Sequence, residues 1–120
     1  MPRDARAYLA DIVESCDAIS GAVRDLDLTQ YQASRLIRSS VEREFIIIGE
    51  AAAALKRFAP EIFAAITRAR RIVDFRNQLT HEYRSVDDAI VWAVVEHDVP
   101  VLLRECTALL QDNAPADGTD

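Results

Sequence analysis

The stretch Arg76-Asn77-Gln78-Leu79-Thr80-His81-Glu82-Tyr83 holds an arginine and a histidine that together could cut a phosphodiester. Histidine titrates near neutral pH, so His81 can take a proton from a ribose 2′-hydroxyl or give one to a leaving 5′-oxygen. Arg76 keeps its charge, and its forked donors suit the non-bridging oxygens of a phosphate as negative charge builds on them. Those two roles suffice for RNA cleavage without a metal. Asn77, one helical turn before His81, could orient it or touch substrate. Arg68, Arg70 and Arg71 just upstream are candidate contacts for RNA phosphates. Neither a metal-ligand spacing nor a cofactor motif stands out, so no metal and no cofactor are expected.

Each of these residues also has a plain structural use. An arginine and a histidine at this spacing are common by themselves, so the motif takes its weight from its surroundings. His81 could simply cap a helix C-terminus. Arg76 could be an ordinary salt-bridging arginine, and Tyr83 a half-buried aromatic at a helix end. His97, between Glu96 and Asp98, reads as an exposed helical residue.

A helix must carry the motif. Ile72, Phe75 and Leu79 share one face and can anchor it in a core, whereas Arg70, Asp74, Asn77, His81 and Arg84 recur on the opposite face. The spacing predicts a helix over about Arg68 to Tyr83. On such a helix Arg76 and His81 stand about 140° apart. Their convergence therefore demands the long arginine side chain, a fraying helix end or a second copy of the chain, and symmetric dimerisation is the commonest device.

Around this helix the chain reads as helical throughout. It has 120 residues, 50% of them hydrophobic, with only 3 glycines and 4 prolines, which suits a single all-α domain. Tyr8, Leu9, Ile12, Val13, Cys16, Ile19 and Val23 form the stripe of a first helix between Ala5 and Leu26. Thr29 and Gln32 have the spacing of a capping box, predicting a second, long helix from there to Pro60. Its stripe runs through Leu36, Ile37, Val41, Phe45, Ile48, Ala52, Leu55 and Phe58 and broadens over Phe45 to Ile48, as in a central helix or one shared with a partner. Gly49 and the alanines that follow permit close backbone approach. Pro60 to Ile66 reads as a short helical piece. Ser85 and Asp87 compete to cap a last helix, which Pro100 should kink. The expectation is an up-and-down bundle of four long helices plus a short one, one domain over 1–111, with a flexible tail over 112–120.

Charge narrows the function. The net charge of -6 makes the whole chain a poor generic polyanion binder, and no DNA partner is expected. Lys56 to Arg84 nevertheless holds seven basic residues against three acids, a net +4 that leaves -10 for the rest. An acidic body thus carries one basic segment able to hold an anion locally. Cys16 and Cys106 fall in apolar stripes and read as reduced core residues, and no apolar run could span or enter a bilayer. A cytoplasmic protein with no membrane partner is expected.

Taken as a string, Arg76-Asn77-Gln78-Leu79-Thr80-His81-Glu82-Tyr83 resembles the signature of the HepT-like branch of the HEPN (higher eukaryote and prokaryote nucleotide-binding) family: arginine, a polar residue, three further positions, histidine, any residue, tyrosine. Arg43 with Phe45-Ile46-Ile47-Ile48-Gly49-Glu50-Ala51 resembles the family's second-helix motif. Val86-Asp87, Val91-Trp92 and Val99-Pro100-Val101-Leu102 resemble its final helix, so the likeness covers residues 5–110. The resemblance implies a homodimeric helical bundle with Arg76 and His81 of both copies in a shared cleft. It implies a metal-independent ribonuclease toxin acting on RNA such as tRNA or mRNA, paired with a minimal nucleotidyltransferase antitoxin. That partner would transfer AMP to Tyr83, adding charge and bulk where an RNA phosphate must sit. The alternatives are a catalytically silent helical dimer that binds a nucleotide or docks the partner, and a purely structural interaction protein using the Phe45 to Ile48 patch.

Overall fold

In the computed structural model, which describes residues 4–82 and 86–113, seven helices follow one another: α1 (Ala5–Ala22), α2 (Leu28–Ala33), α3 (Arg35–Phe58), α4 (Pro60–Ala65), α5 (Ala69–His81), α6 (Asp88–His97) and α7 (Val99–Asp112). The all-α bundle expected from the sequence is the fold. α3 is its centre, packed against α1 on one side and α5 on another, while α7 lies on α1 and α6 meets α2 and α7.

Two of the expected long helices are divided. The capping box belongs to Asp27 and Gln30, not Thr29 and Gln32: the Asp27 carboxylate accepts from the Gln30 N–H at 2.8 Å, and the Gln30 side chain accepts from the Asp27 N–H at 2.9 Å. An aspartate so placed offers a charged acceptor to the positive helix start, one a hydroxyl further along cannot match. Ser34 then breaks the chain in extended geometry, closing α2 and capping α3 through its hydroxyl, which accepts from the Ile37 N–H at 3.2 Å. Arg38 donates to the Gln32 carbonyl, satisfying an acceptor left free at the end of α2.

The last helix is interrupted for one residue. Asp98 keeps helical dihedrals, donates its N–H to the Val94 carbonyl and accepts from the Leu102 N–H, both at 2.9 Å. Pro100 follows in the first turn of α7, where a missing N–H costs least. Asp87 is the cap of α6, accepting from the Ala89 N–H at 2.8 Å; Ser85, its competitor in the sequence, lies outside the described residues.

The core runs the length of the bundle. Leu9, Ile12, Ile19, Val41, Phe45, Ile48, Leu55, Ile72, Val91 and Leu102 are sealed from solvent. Each such aliphatic or aromatic side chain contributes about 1.5–3 kcal/mol by burial. Ile46 and Ile47 are half-buried, so α3 is apolar on more than one side as its sequence suggests. Leu36 and Phe58, at the two ends of its stripe, are exposed. Cys16 and Cys106 are free buried thiols. Burial pushes both up to about 12, with a smaller contribution at Cys16 from Cys106.

Candidate active site

α5 is the element that presents the arginine and the histidine, and its placement is set from both sides. Ile72, Phe75 and Leu79 are buried, and the Phe75 ring meets Phe45 of α3 edge to face at 5.2 Å between centroids. One turn further along α3 comes Gly49, whose missing side chain is occupied by Arg76. A Cβ built at Gly49 would overlap the Arg76 Cβ and lie 2.5 Å from its Cγ. Glycine in mid-helix costs about 1 kcal/mol against alanine, and here it admits the α5 backbone to close contact.

The start of α5 has no side-chain cap of its own. The Glu105 carboxylate of α7 ties down the preceding residue instead, accepting from the Thr67 N–H at 2.8 Å and from its hydroxyl at 2.6 Å. The far end is finished by Thr80, whose hydroxyl donates to the carbonyls of Arg76 and Asn77, and by the Glu82 N–H, which donates to the Gln78 carbonyl at 2.8 Å. His81 occupies the last turn of the helix.

α5 is regular from Ala69 to His81, so the angular relation read from the sequence holds. Arg76 leans toward α3, half-buried, and its Nε is buried with no hydrogen-bond partner among the described residues. His81 and Asn77 are exposed, His81 about 140° around the helix and about 7.5 Å along it from Arg76. The helix of one chain therefore displays the two on different flanks.

The basic residues upstream separate likewise. Arg68 is half-buried with an unpartnered Nε, whereas Arg70 and Arg71 are exposed and line a cleft of about 550 Å³ between α5 and α6. Asp74, Phe75 and Gln78 continue its α5 wall, and Ile90 and Val94 of α6 form the other. The Arg71 Nε forms an ion pair at 2.9 Å with Asp98, which is wholly buried. Neither Asp98 carboxylate oxygen meets hydrogen-bond geometry with any described group, so this ion pair is what compensates its charge there. A smaller depression of about 100 Å³ shares Gln78 and Ile90 with the cleft and reaches Glu82, the residue after His81.

Sequence reading left Gln78 and Asp98 without a role. Gln78 carries no local signal, and Asp98 falls within the stretch read as one continuous last helix. Glu50 lies at a separate depression of about 190 Å³ with Tyr8 and Asp11, away from the α5–α6 cleft. Tyr83 and Arg84 lie outside the described residues. Among the described residues no group of three or more histidine, cysteine, aspartate and glutamate side chains could hold a metal ion, and no helix is long and apolar enough to cross a membrane.

A helical bundle that presents an arginine and a histidine on one helix defines a class to which similar proteins can be compared. Residues 12–109 match the family described as "Ribonuclease HepT-like", and the chain belongs to that family of ribonucleases. It is 33% identical over 103 residues to "Putative RNase MJ1380" of Methanocaldococcus jannaschii, covering 86% of this chain and 94% of the relative. It is also 31% identical over 106 residues to "Probable ribonuclease HepT" of Thermococcus cleftensis, covering 85% and 92% respectively. No match was found among solved structures.

Proposed function

We propose that this chain is a metal-independent endoribonuclease that works as a homodimer, with Arg76 and His81 of two copies meeting over one RNA phosphate. The observation that carries this reading is the divergence of the two residues in one chain: Arg76 is held against Gly49 with its Nε unpaired, while His81 is exposed on another flank of the same helix. A second copy closes that angle. In the reaction, His81 removes the proton of a ribose 2′-hydroxyl, and the resulting 2′-oxygen forms a bond to phosphorus. The P–O5′ bond breaks, the 5′-oxygen takes up the proton that His81 had removed, and the products are a 2′,3′-cyclic phosphate and a 5′-hydroxyl. Arg76 bears on the non-bridging oxygens as their charge grows. Asn77, exposed one turn before His81, orients the imidazole.

The biological setting we propose is a toxin silenced by a minimal nucleotidyltransferase antitoxin that transfers AMP to Tyr83. An attached nucleotide two residues after His81 would set a phosphate and a bulky base where substrate must bind.

Incubating the unmodified chain with total RNA and tRNA in chelator tests the reading. Cleavage leaving cyclic-phosphate ends should fall by about 10²–10⁴-fold in His81→Ala. It should fall by about 10²–10³-fold in Arg76→Ala. Both variants should remain dimeric. RNA shifted but left intact by the unmodified chain would make it a binding module, and loss of the dimer in either variant would make that residue structural.

A further inference from the structure

The α5–α6 cleft has the makings of a ligand site that the arginine and histidine do not use. Its volume of about 550 Å³ falls within the range of about 300–1,000 Å³ typical of small-molecule pockets. Phe75, Ile90 and Val94 supply apolar wall, and Ile90 is 54% exposed, a large aliphatic side chain left facing water. Arg70 and Asp74 stand one turn apart on α5, the spacing at which opposite charges pair, yet neither forms an ion pair among the described residues. Arg71 is oriented from behind: its Nε is held by the buried Asp98, which leaves the two terminal nitrogens of the guanidinium for something else.

We infer that this cleft binds a guanine nucleotide of the RNA substrate, its base read by Asp74 and Gln78 and its phosphate held by Arg70 and Arg71. The inference rests on the ribonuclease reading above. A carboxylate only accepts hydrogen bonds, and it can accept two side by side. Among the four RNA bases only guanine offers two adjacent donors on its Watson–Crick edge, the ring N1–H and the 2-amino group. Adenine and cytosine set an amino group beside an acceptor, and uracil sets its one N–H between two carbonyls. The Gln78 amide can then donate to the guanine O6. RNA-binding proteins read single-stranded bases on this edge, with the ring face against apolar or aromatic surface. The smaller depression shared through Gln78 and Ile90 leads from the cleft to Glu82, so a base seated there lies beside the histidine end of α5.

Calorimetric titration with GMP and with AMP tests the pocket without any cleavage, and sequencing the ends left in a mixed-sequence RNA tests its use. GMP should bind at least tenfold more tightly than AMP, and Asp74→Asn should abolish that difference. The ends produced by the unaltered chain should share guanine at one fixed position, and those produced by Asp74→Asn should be scattered over all four bases. Equal affinity for the two nucleotides, or an unchanged preference in Asp74→Asn, would overturn the inference. Cleavage with no guanine at a fixed position would overturn the subsite and leave the ribonuclease reading standing. A GMP preference in a chain that leaves every RNA intact would keep the pocket and sink the ribonuclease reading. The GMP against AMP comparison on the unaltered chain decides the matter even if the variant fails to fold.

Discussion

Gly49 of α3 lies directly against Arg76 of α5, close enough that a methyl group at position 49 would overlap the arginine's own Cβ. The clash falls at the root of the side chain and not at its flexible tip, so only a shift of the α5 backbone could relieve it. Gly49→Ala gains about 1 kcal/mol of helix propensity. It loses more to overpacking, which costs about 1–3 kcal/mol. We expect a net loss of up to about 2 kcal/mol in chemical denaturation, accompanied by reduced RNA cleavage because Arg76 moves. A variant more stable than the parent would show that the α3–α5 contact yields freely.

The Arg71–Asp98 pair is lopsided: the arginine side chain is 59% exposed, the aspartate 0%. Arg71→Ala leaves a buried carboxylate without compensation. We expect it to cost about 2–3 kcal/mol, below the loss from a fully enclosed pair because water already reaches one partner. Asp98→Asn should cost less, since the freed Arg71 can turn to solvent, and the double variant should recover part of the Arg71→Ala loss. Thermal melts of the three variants check the order.

Glu105 fixes the entry to α5 through two hydrogen bonds to Thr67. Glu105→Ala frees the Thr67 N–H and removes a charged acceptor. Bonds of this kind are worth about 1.5–3 kcal/mol, and the half-exposed setting puts the expected loss at the lower end. Faster hydrogen exchange confined to the first turn of α5 is the accompanying signature.

Glu42 sits near Tyr31, Arg38 and Asp88, where α2, α3 and α6 meet. Burial, with Asp88 adding to it and Arg38 opposing, holds its carboxyl above the usual glutamate range. A raised folded-state pKa means the folded chain keeps this proton while the unfolded chain has lost it. Glu42 therefore costs stability as pH rises through the interval between the two values, and the full cost persists above it. Glu42→Gln should raise the melting temperature at pH 7 and do so less, or not at all, below pH 4. A larger gain at the acid end would reverse the assignment.

Cys16 and Cys106 are sealed in the core with thiols pushed up to about 12. Since the thiolate is the nucleophile, iodoacetamide should label the folded chain about 100-fold more slowly than the denatured chain. Labelling at equal rates would show that α1 and α7 open readily.

Helical class, the buried faces of α1 and α5 and the arginine–histidine motif were legible in the sequence, because each is written within a few turns of chain. Ile72, Phe75 and Leu79 recur on one face whatever lies opposite them, and a proline stops a helix from within. The same local physics misled where two short-range signals competed. Thr29 and Gln32 have the spacing of a capping box, but Asp27 and Gln30 form it, and Ser34 then opens a break that periodicity runs straight across.

Tertiary structure alone decided what depends on two distant segments meeting. Nothing near Asp98 in the chain says that it is buried, and its ion-pair partner, Arg71, lies 27 residues earlier. The cleft between α5 and α6 brings Arg70, Asp74 and Gln78 opposite Ile90 and Val94, residues far apart in the chain. Gly49 announces a close approach by its size, but that the approaching residue is Arg76 is a fact of packing between α3 and α5. Local periodicity sets which residues face inward, and only the assembled core sets which of them face each other.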